Sequence, residues 1–130
     1  MAQVIAAARI LGLDLDRQNT GGLTDSRGQY VPFGRPGNSD LTGMLPDGRK
    51  LDVEVKREGW IPAKASGKDA ARWARQLDRL QRTNAQGGVG FWTDDSAHFL
   101  LVMRLVLDGA RVVETGDVRG PHIYLPEAPR

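Results

Sequence analysis

Asp40, Glu54 and Lys56 are the residues of this chain whose types and spacing could do chemistry together. Two carboxylates held side by side bind a hard divalent cation through oxygen, and such a cation polarises a phosphate and lowers the pKa of a bound water. An ammonium group beside them can orient that water or neutralise charge in the transition state. These are the parts that phosphodiester hydrolysis needs. Whether they meet depends on the stretch NSDLTGMLPDGRKLDVEVK, residues 38–56.

Two short strand-like runs flank Pro46-Asp47-Gly48. Pro46 sets φ for the first turn position, Asp47 suits the second, and Gly48 can take the left-handed conformation of a three-residue hairpin loop with a bulge. In that register Leu45 closes against Arg49, and Asp40 falls opposite Glu54 on the same face, with Cβ atoms about 4.5–5.5 Å apart. Strand alternation sends Leu51, Val53 and Val55 to one face and Asp52, Glu54 and Lys56 to the other. Two simpler arrangements stay open. A two-residue Asp47-Gly48 loop would move Asp40 to the opposite face, and alternating charges are also what a solvated strand face displays.

Asp, then a hairpin, then Glu-x-Lys resembles the PD-(D/E)xK nuclease superfamily, and the wider pattern is similar to its VRR-NUC branch, small nuclease domains found in phages and some repair enzymes. The landmarks, in family order, are Asn19-Thr20-Gly21, VPFGRPGNSDLTG around Asp40, VEVK at 53–56, Gln76 followed by Leu80, and Gly87-Gly88. The resemblance is strongest over 17–107 and treats 1–130 as one domain. It implies an α/β restriction-endonuclease-like sandwich, a central mixed sheet flanked by helices. It further implies a Mg2+- or Mn2+-dependent DNA endonuclease, selective for structures such as four-way junctions or flaps. Asp40 and Glu54 would be metal ligands with the Val55 carbonyl as a third, Lys56 catalytic, Gln76 a supporting active-site residue, and Asn19 close to the scissile phosphate. On physical grounds alone Asn19-Thr20-Gly21 is an ordinary turn.

One departure stands out. Members of the superfamily often carry a metal-binding glutamate on the first helix, and MAQVIAAARILG contains no acidic residue. Either the start is truncated, or Gln3, Asp14 or Asp16 substitutes, or the position is dispensable. This departure motivates an alternative, a catalytically silent nucleic-acid-binding module on the same fold.

The composition narrows the chemistry. At 130 residues the chain is about one domain, and having no cysteine it has neither disulfides nor thiolate zinc sites. That fits a reducing cytoplasm, the host's if the protein is phage-encoded. His98 and His122 have no ligand spacing, so any metal must be held by oxygen. The net charge is +2, but residues 56–82 carry +5 and the remainder −3. Arg57, Lys64, Lys68 and Arg72 lie in that basic segment, where a DNA backbone would need neutralising. A solvated cationic helix face would look the same.

The remaining elements must position these groups. Val4, Ile5, Ala8, Leu11 and Leu15 have helical spacing in an N-terminal helix ending at Gly12. It shows no targeting signal and is too short to span a membrane, so no membrane partner is expected. Residues 14–37 read as turns around a short run at Tyr30, Val31 and Phe33. Trp60, in the loop after Lys56, either stacks on an unpaired base or covers a core edge. A helix is expected from Ser66–Lys68 to about Gln86, with Ala70, Trp73, Ala74, Leu77, Leu80 and Asn84 inward and Gln76 at the rim. VGFWT at 89–93 reads as a buried strand. Asp94, Asp95 and Ser96 read as helix-start residues before the apolar run 97–107. A strand at 111–114 precedes an extended or partly disordered tail over 116–130. A symmetric junction substrate would also favour a homodimer.

Overall fold

Pro46, Asp47 and Gly48 form the three-residue turn that their types demand. Gly48 takes φ +92°, its N–H closes on the Leu45 carbonyl at 2.9 Å, and the Leu45 N–H bonds to the Arg49 carbonyl at 2.8 Å. A computed structural model of the chain describes residues 1–18, 22–32, 39–117 and 119–126, with backbone alone over 22–24 and 30–32. In it β4 (Leu41–Met44) pairs antiparallel with β5 (Lys50–Val55), Leu41 opposite Val53 and Thr42 opposite Asp52. The expected register is the observed one, and the two-residue loop is excluded.

The hairpin is the centre of a larger sheet. β1 (Leu15–Arg17) pairs antiparallel along the outer edge of β4, and β6 (Val89–Thr93) pairs parallel with β5, giving the order β1-β4-β5-β6. A parallel neighbour requires a crossover, and α2 (Gly67–Ala85) supplies it between β5 and β6. The fold is therefore mixed α/β.

Alternation along the strands assigns the layers. Leu41, Leu51, Val53, Val89 and Phe91 pack with Val4, Ala7 and Ala8 of α1 (Ala2–Ile10) and with Phe99, Val102, Met103 and Val106 of α3 (Ser96–Leu107). Burying each of the valine, leucine, phenylalanine and methionine side chains among these contributes about 1.5–3 kcal/mol. Trp92, on the opposite face, packs with Trp73 and Leu80 of α2. Gly90 is needed for that contact, because a Cβ there would lie 2.7 Å from the Leu80 carbonyl oxygen. The turn is tied to the first layer as well, since the Arg49 guanidinium donates to the Val106 and Ala110 carbonyls at 2.9 and 3.0 Å. A cation suits that end of α3, where unpaired carbonyls gather.

Several expectations need correcting. Leu15 does not continue the first helix but begins β1, because Gly12 at φ +75° reverses the chain. The turn-rich stretch contains β2 (Gly22–Thr24) paired with β3 (Tyr30–Pro32). Ala74 is exposed, and the buried stripe of α2 is Trp73, Gln76, Leu80 and Thr83, so Gln76 is not a rim residue. The strand expected at 111–114 is β7 (Arg111–Val113), one residue shorter. Within the tail, β8 (His122–Tyr124) pairs antiparallel with β7, so part of it is ordered sheet. Asn19-Thr20-Gly21 and residues 33–38 lie outside the described residues.

Candidate active site

Asp40 sits one residue before β4, where the strand pairing gives way to side chains. Its N–H donates to Glu54 Oε2 at 3.1 Å, and its own Oδ2 accepts the Val55 N–H at 3.0 Å. The carboxylate of Asp40 thus takes the place of a ladder carbonyl at the end of the hairpin. In extended backbone a residue's N–H and C=O lie on the same edge of the strand. The Val55 carbonyl therefore shares the edge occupied by Asp40.

Glu54 faces α2 and is only 2% exposed, so the charged face of β5 is not a solvated one. Gln76, from the third turn of α2, donates its Nε2 to Glu54 Oε1 at 2.7 Å and accepts Lys56 Nζ at its Oε1 at 2.6 Å. Lys56 Nζ lies 3.5 Å from the same Glu54 oxygen. Asp40, Glu54, Lys56 and Gln76 are brought together. Burial, and then the charge of Asp40, push the Glu54 carboxyl up to about 8, against a smaller opposing pull from Lys56. Near neutral pH Glu54 therefore holds a proton, which a cation bound between the two carboxyls would displace.

The donor set of Asp40, Glu54 and the Val55 carbonyl is all oxygen and suits Mg2+ or Mn2+. Among the described residues no three Asp, Glu or His side chains converge tightly enough to hold a metal by themselves, so backbone oxygen and water would complete the shell. Of the three residues considered as substitutes for the first-helix glutamate, Gln3 is on α1, behind the opposite face of the sheet. Asp14 is exposed ahead of β1. Asp16 alone is paired within the sheet on the carboxylate face, directly opposite Thr42 and exposed.

The basic residues are arranged unevenly. Arg57 and Arg72 join Val55, Lys56, Trp60 and Asp69 around a cavity of about 300 Å3. Arg57 and Lys64 line a second of about 280 Å3, which shares Trp60 and Asp69. Lys68 is exposed in the first turn of α2 and lines neither. A larger cavity, of about 680 Å3, between the end of α2 and β7 shares no residue with the carboxylate site. Asn19 lies outside the described residues.

Two features escaped the sequence reading. Asp52, one alternation before Glu54, is also buried and accepts from Ser39 Oγ (3.1 Å), Thr42 Oγ1 (3.0 Å) and Thr83 Oγ1 (2.5 Å), with Lys50 Nζ at 3.2 Å. Thr83 stands two turns beyond Gln76 on one helix face, and that spacing was the available signal. The second feature is the convergence of Trp60, Trp73 and Trp92, with ring centroids 4.9–6.4 Å apart in edge-to-face geometry. Trp60 thus covers a core edge. The helix-start reading holds: Asp95 caps α3 by accepting the His98 N–H at 2.7 Å. Asp94 instead accepts the Gly59 N–H at 3.1 Å, tying the Trp60 loop to the end of β6.

No family model, curated protein or solved structure matches this chain. Among the described residues no helix is long and apolar enough to cross a membrane.

Proposed function

We propose that this chain is a Mg2+- or Mn2+-dependent DNA endonuclease of the PD-(D/E)xK type, VRR-NUC branch, on a restriction-endonuclease-like fold. The observation that carries the reading is the opposition of Asp40 and Glu54 across the β4–β5 hairpin, with Lys56 Nζ 3.5 Å from Glu54. A coincidental pair of charges on a strand would be solvated, whereas Glu54 is buried beneath α2 and joined to it through Gln76.

When bound, the metal supplies Lewis-acid activation of the scissile phosphate and of a water. The chain's own residues do the positioning. Asp40, Glu54 and the Val55 carbonyl would hold the cation. Gln76 keeps the Glu54 carboxylate and the Lys56 ammonium in fixed relative orientation, and Lys56 orients the attacking water or neutralises charge on the phosphate. Arg57, Lys64, Lys68 and Arg72 would grip the backbone, so sequence preference is weak and branched substrates such as junctions or flaps are favoured by shape. A four-way junction would be cut by two copies of the chain acting together.

The test is incubation of the protein, Asp40→Asn and Lys56→Ala with labelled linear, flap and four-way-junction DNA in magnesium, manganese or EDTA. Metal-dependent cleavage lost in both variants supports the nuclease. Salt-dependent binding without cleavage on any substrate would replace it with a catalytically silent binding module, the reading favoured by the absence of an acidic residue on α1.

A further inference from the structure

The Lys56 side chain is only 15% exposed, although an ammonium is strongly hydrated and would ordinarily stay in water. Its polar partners account for one side of it. On the other, Nζ lies 4.8 Å from the centre of the Trp60 ring and 5.3 Å from that of Trp73. Both distances are within the range in which an aromatic face attracts a cation.

We infer that Trp60, with Trp73, forms an aromatic seat that positions the Lys56 ammonium against Glu54 and Gln76, so that Trp60 is a positioning residue of the proposed active site. The inference rests on the reading of Lys56 as the active-site lysine. A lysine has a flexible four-carbon stem, and one hydrogen bond to Gln76 fixes a distance without fixing the approach. Two indole rings from separate elements bound the ammonium on a second side.

Trp60 is itself firmly placed. Its N–H donates to the Arg57 carbonyl at 3.1 Å, and the preceding Gly59, at φ +78°, donates to Asp94. Its ring meets Trp73 and Trp92 edge-to-face at 4.9 and 5.2 Å. Trp92 does not contact the ammonium but supports both rings from β6. These three are all the tryptophans of the chain, drawn from a loop, a helix and a strand into one cluster, two of whose rings face Lys56. Covering a core edge explains why Trp60 is half-buried, but not why a cation is held against its ring. The same ring lines both cavities that carry Arg57, so a strand bound there would touch the seat directly.

The first measurement needs no activity. The chain has four lysines, Lys50, Lys56, Lys64 and Lys68, few enough for their ε-methylene resonances to be assigned one by one in the intact chain. Ring currents should move one pair well upfield of the other three, and Lys56→Arg should remove that pair. Trp60→Leu should return it towards the others while unfolding stays cooperative, and Trp60→Phe, which keeps a ring, should retain much of the shift. A Lys56 resonance coincident with the other lysines in the unaltered protein, or one unmoved in folded Trp60→Leu, overturns the seat. With cleavage as the readout, Trp60→Leu should lower kcat by roughly 10²-fold while KM and metal dependence are kept. Unchanged kcat in the folded variant equally overturns it. Should the unaltered protein cut no DNA, the nuclease reading fails separately and the resonance alone decides.

Discussion

Gln76 donates to Glu54 Oε1 at 2.7 Å from the middle of a helix, across twenty-two residues of chain. The same amide accepts Lys56 Nζ at 2.6 Å, which settles which way round it lies: oxygen towards the ammonium, nitrogen towards the carboxylate. Gln76 hydrogen-bonds both Glu54 and Lys56 of the proposed site from α2.

Gln76→Leu keeps the volume and removes both bonds. A buried carboxylate and a nearly buried ammonium then each lose a partner, at a cost of about 1–3 kcal/mol. The expected outcome is a lower urea midpoint together with a loss of cleavage larger than the stability change explains. A variant of normal stability and normal cleavage rate would show that Gln76 is a passive neighbour.

Glu54 sets a pH dependence that can be read without substrate. Its carboxyl is pushed up to about 8 in the folded chain, against 4.5 as the ordinary value, chiefly by burial and secondly by Asp40. The folded state therefore holds a proton that the unfolded state has released between those values, and stability falls as pH rises from about 4.5 to 8, then levels. Glu54→Gln should flatten that slope in denaturation series across the window. Metal binding must displace the same proton, so Mn2+ titrated calorimetrically below pH 8 should release protons, and its apparent affinity should rise with pH. Affinity independent of pH would mean that Glu54 is not a ligand.

Asp52 lies on the same face yet belongs to a separate network. Thr83→Val deletes the 2.5 Å bond from Thr83 Oγ1 to its carboxylate and keeps the shape. The expected loss is about 1–3 kcal/mol of stability, with metal dependence and pH profile of cleavage unchanged. If those profiles moved with the stability, the two buried carboxylates would be acting as one site.

How much of this was legible in the sequence depended on the range of the interaction. Pro46-Asp47-Gly48 dictates its own turn, so the register and the Asp40–Glu54 pairing could be read locally. Alternation then placed Leu51 and Val53 away from Asp52 and Glu54. It could not say which face α2 would cover, and for that reason the burial of Glu54 and Gln76 went unseen: a polar stripe of Gln76 and Thr83 reads as solvent-facing until the strand beneath it proves polar too. β1 and β8 were missed because each has three residues and owes its existence to the neighbouring strand, Leu15 to Gly43 and Val113 to His122. The tryptophan cluster joins residues thirty-two positions apart, with no local period to announce it.

The basic residues yield a prediction that depends on salt alone. Arg57 and Arg72 share a cavity with Lys56, Lys64 lines the adjoining one, and Lys68 lines neither. Each phosphate neutralised releases counterions, so the slope of log affinity against log salt should fall by about 0.9 per contact removed on duplex DNA. Binding is best measured in EDTA, where cleavage is off, by titrating a labelled junction at several salt concentrations. Arg57→Ala and Arg72→Ala should each reduce the slope by about one contact, Lys64→Ala by as much or less, and Lys68→Ala least. Equal reductions from all four would point to a diffuse cationic surface instead of a strand laid along the cavities beside Trp60, and no reduction from any of them would remove this face from the DNA interface.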